Sequence, residues 1–320
     1  MAWIDLHIDT LWRMRLTGAD PLAEPGGALQ VDAGGIARVD LRAAVWAVYV
    51  EPEHAGPAGL AELLVRLGAG LRLAERSGGR LRIVRDGAGL DGCLRGEAHG
   101  MILGLEGAHP LMGSLEYLAA LHELGLRVLG LTWNEANPFA AGCALEGERD
   151  SGLTPLGRRL VAEAHRLGLI LDLAHASPRT LDDALAAAAG PLLVSHTACR
   201  ALRDHRRNLS DEQLRRVAGA GGLVGMTFYP GFLSDGADEH ERVTSARVAD
   251  HLVHAASVAG VEAIAIGSDF DGIDTAPEDL PDVRALPRLT EALTGRGLTP
   301  MEIEGIAWRN AARFLRVALG

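Results

Sequence analysis

The 320-residue chain contains no lysine: all 31 of its basic residues are arginine. That absence excludes a lysine Schiff base, a phosphate-loop lysine and a carboxylated lysine bridging two metal ions. Cysteine is scarce as well. Cys93, Cys143 and Cys199 stand far apart without a CxxC pair, which excludes a disulfide framework and a thiolate zinc site and fits a reducing compartment. Positive charge is in deficit: 42 acidic residues against 31 basic ones give a net charge of −11, which argues against nucleic-acid and polybasic membrane-surface partners. No apolar run approaches the ~20 residues of a membrane span. The opening MAWIDLHIDTLWRMR lacks the basic-then-apolar order of a secretory signal. The expectation is a cytoplasmic protein with no nucleic-acid or membrane partner.

What is present is a chain that folds, 48% hydrophobic and 23% charged. Apolar, β-branched runs recur at 3–9, 44–50, 101–107, 127–133, 168–175, 191–197, 222–229 and 263–272. Amphipathic Ala- and Leu-rich segments lie between or after them, at 60–76, 115–124, 155–167, 178–189, 211–219, 245–259 and 299–319. This alternation predicts a parallel sheet. Eight such runs, with no GxGxxG after the first, predict a (β/α)8 TIM barrel over 1–320 as a single domain. Ser210 and Thr154 read as helix N-caps, the second followed by proline at the first helical position. The stretch 274–289, with prolines at 277, 281 and 287, reads as a long loop.

In such a barrel the chemistry belongs at the carboxyl ends of the strands. Alternation along Ile4-Asp5-Leu6-His7-Ile8-Asp9 puts His7 and Asp9 on one face, as a chelating pair requires. The third run ends in Glu106, flanked by leucine and glycine, an expensive place for a carboxylate without a cation or dense hydrogen bonding. The fifth ends at His175, the sixth at His196, and the eighth carries Asp269 and Asp271. Two imidazoles with a shared carboxylate suit one divalent ion, and an imidazole with two carboxylates suits another. A close metal pair needs a bridging anion, and with no lysine to carboxylate, Glu106 is the candidate bridge.

These residues sit in blocks that resemble the renal (membrane) dipeptidase family of the metal-dependent amidohydrolase superfamily. The blocks are DLHID at 5–9, GLEGAHP at 104–110, LTWNEAN at 131–137, LDLAHAS at 171–177, VSHTACRAL at 194–202, RRN at 206–208 and GSDFDG at 267–272, in the family's order. The resemblance implies that His7, Asp9 and Glu106 hold one zinc ion while Glu106, His175 and His196 hold the other. It also implies that Arg207 binds the substrate carboxylate and that Asp269 acts in proton transfer. Mammalian members place a substrate-polarising histidine where this chain has Trp133, so Trp133 is expected to alter substrate range. Members are often homodimers.

The expected reaction is hydrolysis of a dipeptide by a hydroxide bridging two divalent metals, zinc by ligand type; a related amide, lactone or amine substrate is the alternative. Arg206 competes with Arg207 as the carboxylate binder. His109 reads either as a support for Glu106 or as a structural residue, Asp5 as a support for His7 and Asp271 as a loop or helix cap. The other histidines, at 54, 99, 122, 165, 205, 240, 251 and 254, read as structural, with 251 and 254 on a surface helix. Trp3, Trp12, Trp46 and Trp308 read as core.

Overall fold

A computed structural model describes residues 1–23, 28–54, 56–234 and 242–320. Its strands are β1 Trp3–Ile8, β2 Leu41–Tyr49, β3 Leu81–Ile83, β4 His99–Glu106, β5 Leu126–Gly130, β6 Ile170–Asp172, β7 Leu192–Thr197, β8 Leu223–Met226 and β9 Ile264–Ile266. All pair in parallel in the order β2-β1-β9-β8-β7-β6-β5-β4-β3, and β2 also pairs with β4 from Ala43 opposite Gly100 to Tyr49 opposite Glu106. That second pairing closes eight strands into the expected barrel. The extra strand, β3, pairs only with the first residues of β4, ahead of the point where β5 joins at Leu103.

Parallel strands covered by helices are buried on both faces and so read as continuous apolar runs. The pattern holds here: every residue of β1, β5, β6, β7, β8 and β9 is buried. One apolar cluster joins Ile4, Leu6, Val45, Ile102, Val128 and Leu193 to Phe314 and Leu315 of the helix Asn310–Leu319. The other packs Trp3, Trp46, Leu103 and Leu171 against the surrounding helices. Backbones crowd where β7, β8 and β9 meet. A Cβ on either Gly225 or Gly267 would run into the Ser195 carbonyl oxygen, so glycine is required at both.

The caps behave as read. Thr154 accepts from the Gly157 N–H ahead of Pro155–Arg166, and Ser210 with Gln213 forms a capping box ahead of Asp211–Gly219. Several elements differ from the sequence reading. Helices Thr10–Thr17, Ala33–Val39 and Gly87–Leu94 were not expected, and helix Leu286–Gly295 occupies part of the stretch read as loop. The expected helix at 299–319 is Pro300–Glu304 and Asn310–Leu319 joined by a π-turn at Gly305–Arg309. Trp3 and Trp46 are core, whereas Trp12 faces the cleft described below and Trp308 is half-buried under Arg309. Among the described residues no helix is long and apolar enough to cross a membrane.

Candidate metal centre

The ionisable residues gather at the carboxyl end of the barrel, over a cleft of about 430 Å³. His7 is the penultimate residue of β1, Glu106 ends β4, and His196 is the penultimate residue of β7. Asp9, His175 and Asp269 lie beyond their strands. Asp9 sits at φ −101° after β1 ends at Ile8, so the expected single strand face for His7 and Asp9 is replaced by a strand end and a turn. The pair still meets, with His7 Nε2 3.2 Å from Asp9 Oδ2. His175 and Asp269 adopt left-handed backbone at φ 63° and 67°, a costly conformation for residues with a Cβ that clusters at functional sites.

Glu106 sits between His7 on one side and His175 with His196 on the other. Its Oε2 lies 3.7 Å from His7 Nε2, while its Oε1 lies 3.0 Å from His175 Nε2 and 3.7 Å from His196 Nε2. Donor atoms of His7, Glu106 and His196 fall within 4.8 Å of one another, as do those of His7, Asp9 and Asp269. The second trio brings Asp269 beside His7 and Asp9. Burial raises the Glu106 carboxyl, but the charge of His7 and the hydrogen bonds from His175 and His7 outweigh it and hold the group below the usual carboxylate range. Burial, then repulsion from Asp9 and Glu106, pushes Asp269 well up. Burial, reinforced by Arg207, brings His175 down to about 4, and burial with the charge of His7 lowers His196 far below the ordinary imidazole value. His175 and His196 are thus held as neutral imidazoles beside crowded carboxylates, the donor forms a divalent cation takes. Asp9 Oδ1 is buried without a hydrogen-bond partner, an orphaned acceptor at the same place. The donor set fits a cation.

Arg207 is 5% exposed, donates from Nη2 to the His196 carbonyl at 3.2 Å and leaves Nε buried without a partner. Its guanidinium lies 5.3 Å from the centre of the Phe232 ring. Arg206 is exposed at the cleft edge, so burial and an open donor set Arg207 apart from it. Trp133 also lines the cleft, its ring centre 5.3 Å from that of Tyr49 and 5.9 Å from His175. Trp12 lines it as well and donates its indole N–H to Glu51.

His109 Nε2 lies 2.9 Å from the Val50 carbonyl oxygen, so its hydrogen bond serves the backbone and not Glu106. Asp5 supports His7 through its backbone: it accepts from the His7 and Ser268 N–H groups and thereby ties β1 to the segment after β9. His251 is fully buried between the Cys199 N–H and the Leu233 carbonyl, whereas His254 reaches Asp211 nearer the surface. Asp271 behaves as a tie: it accepts from Thr10, Gln30 and Val31. His240 lies outside the described residues. Asn134 and Ser195 escaped the sequence reading although both stand inside its motif blocks. Asn134 Oδ1 is 2.9 Å from His175 Nδ1 and Ser195 Oγ is 2.8 Å from His196 Nδ1.

A family profile described as membrane dipeptidase (peptidase family M19) matches residues 1–318. An uncharacterised dipeptidase of Schizosaccharomyces pombe is 40% identical over 214 residues, covering 66% of this chain and 51% of its own length. An uncharacterised Klebsiella pneumoniae protein from the pqqA 5′ region is 32% identical over 249 residues, 77% of this chain and 92% of its own. Thus the chain spans about half the length of the yeast relative and nearly all of the bacterial one. A metallopeptidase from Rhodobacter sphaeroides, solved with a phosphinate mimic of the dipeptide L-Ala-D-Ala, superposes with a TM-score of 0.91 at 27% identity over 99% of both chains. With its barrel closed and its polar blocks gathered at one mouth, the chain belongs to the membrane dipeptidase family, peptidase family M19.

Proposed function

We propose that this protein is a metal-dependent dipeptidase whose chain folds as one catalytic barrel and holds two divalent ions, zinc by ligand type. His7, Asp9 and Glu106 would hold one ion, and Glu106, His175 and His196 the other. The observation that carries this reading is the division of the Glu106 carboxylate, Oε2 toward His7 and Oε1 toward His175 and His196. When bound, divalent ions supply Lewis acidity: they polarise a carbonyl and lower the pKa of water from ~15.7 to ~7.

The chain's own groups do the rest. Arg207, buried with an open Nε donor, takes the free carboxylate of a short peptide and so fixes the distance from the C-terminus to the scissile bond. Asp269 stands among the ligands, where its carboxylate takes a proton from the attacking water and returns it to the departing amine nitrogen. Trp133 and Tyr49 form an apolar wall that excludes water from one side of the bond and shapes the side-chain space. The dipeptide-mimic ligand of the Rhodobacter sphaeroides neighbour supports a dipeptide substrate, with an L,D pair a natural first choice.

The test is a kinetic screen of L,L- and L,D-dipeptides with metal content measured on the same sample. Release of free amino acids by protein carrying two equivalents of metal is expected. Fully loaded protein that cleaves no dipeptide but turns over lactones or aminopurines would overturn the substrate assignment.

A further inference from the structure

Behind the two proposed metal positions sits one hydroxyl. Ser195 Oγ lies 2.8 Å from His196 Nδ1 and 3.3 Å from His7 Nδ1. The two imidazoles come from different ligand sets, and their ring centres are 3.8 Å apart. On the far side of each ring, Nε2 faces Glu106. The third imidazole is backed separately, with His175 Nδ1 on Asn134 Oδ1 and its Nε2 toward Glu106.

Asp172 stands beside Ser195, its Oδ1 accepting from the backbone N–H groups of Ser195 and Ala174. The Ser195 hydroxyl carries one proton and two lone pairs, so with both lone pairs turned to Nδ1 it receives an N–H from each of the two imidazoles at once. An imidazole whose Nδ1 proton is held in this way turns Nε2 toward the cation side of the cleft.

We infer that Ser195 is a shared positioning residue, one hydroxyl that sets the tautomer and ring orientation of a histidine ligand in each of the two proposed metal sites. This rests on the assignment of His7 and His196 as ligands to two ions. Asn134 performs the same task for His175 alone, because its amide oxygen likewise receives Nδ1–H. The consequence is asymmetry between two residues of similar size and polarity. Loss of the Ser195 hydroxyl releases one ligand on each ion, whereas loss of the Asn134 amide releases one ligand on one ion only.

The experiment is a chelator-competition titration of Zn²⁺ on the full chain, comparing wild type, Ser195→Ala and Asn134→Ala, with the thermal midpoint of each metal-free protein as the control for folding. Losing a hydrogen-bond partner behind a histidine ligand costs roughly 10–100-fold in metal affinity. Ser195→Ala should therefore lower both zinc affinities by roughly that factor while its metal-free midpoint stays close to wild type, and Asn134→Ala should lower one. Two Ser195→Ala affinities within about twofold of wild type, or a drop confined to one ion, would overturn the inference. So would both variants weakening both ions equally, since that marks general loosening of the barrel mouth. Should wild type itself bind fewer than two equivalents, the failure lies with the two-ion assignment and is visible before any variant is compared.

Discussion

Glu106 offers one oxygen to each side of the cleft, and a single substitution there tests the whole arrangement. Glu106→Ala should lose both metal equivalents together by elemental analysis, because it removes a ligand from each ion; retention of one full equivalent would show that the carboxylate is not shared. Asp269→Asn should behave oppositely. It keeps the side-chain volume but cannot cycle a proton, so two equivalents of metal are expected with turnover reduced about 10²–10⁴-fold. Full activity in that variant would remove Asp269 from proton transfer. His7, Glu106 and His196 were legible because a polar side chain set in an apolar strand is costly unless it binds something. Asp9, His175 and Asp269 were legible as residues but not as geometry: β1 ends one residue before Asp9, and the left-handed backbone of His175 and Asp269, at 63° and 67°, leaves no trace in hydrophobic alternation. Ser195 and Asn134 were missed because small polar residues are ordinary at strand ends and loops, and only the distances to Nδ1 distinguish them. Away from the cleft, burial brings His99 down to about 4, with Nδ1 on the Leu41 carbonyl and Nε2 accepting from Trp46. Its folded value lies below its unfolded one, so the unfolded chain binds the extra proton and stability falls as pH drops from about 6.5 toward 4. Between pH 8 and pH 5 denaturant unfolding of wild type should lose about 2 kcal/mol more than that of His99→Gln. Equal losses would mean that His99 titrates normally in the fold.

At the scale of elements, the eight barrel strands were readable and their lengths were not. The runs at 168–175 and 263–272 contain strands of only three residues, Ile170–Asp172 and Ile264–Ile266, because the chain leaves the ladder to turn its ligands into the cleft. Two overlooked helices, AGGIARV and GAGLDGCL, are rich in glycine, which costs about 1 kcal/mol per residue in a helix relative to alanine. They form because Asp32 and Asp86 cap them and because each buries an apolar face, Ile36 with Val39 and Leu90 with Cys93. The helix Leu286–Gly295 was hidden by Pro287, read as a breaker but placed in the first turn, where a missing N–H costs nothing. Capping also supplies a clean test. Ser210→Ala removes half of a capping box at a half-buried helix start and should cost about 1 kcal/mol in denaturant unfolding. Its zinc affinities should match wild type, because the segment from Ser210 contributes no proposed ligand. A change in metal binding would instead show that this helix helps hold Arg207 and the cleft wall.

At the scale of the molecule, the proposed ligands draw together β1, β4 and β7 with the turn that follows β6, and Asp269 adds the turn after β9, so the site links five of the eight barrel strands at one end. The opposite end is closed by apolar packing from the helix Asn310–Leu319. Stability is therefore unevenly sourced: hydrophobic burial secures one end of the barrel, while the other carries mutually repelling Asp9, Glu106 and Asp269 and depends on bound cation. An ion that binds the folded chain alone adds RT ln(1 + [L]/Kd), about 2.7 kcal/mol per site at a free concentration a hundredfold above Kd. For a domain of this size each kcal/mol moves the midpoint by roughly 2–4 °C. Removing metal with a chelator should accordingly lower the thermal midpoint by about 5–10 °C per site emptied under those conditions, and restoring zinc should recover it. Glu106→Ala supplies the control. With neither ion held, its midpoint should be insensitive to chelator. A chelator response in Glu106→Ala equal to that of wild type would place the stabilising cation somewhere other than this cleft.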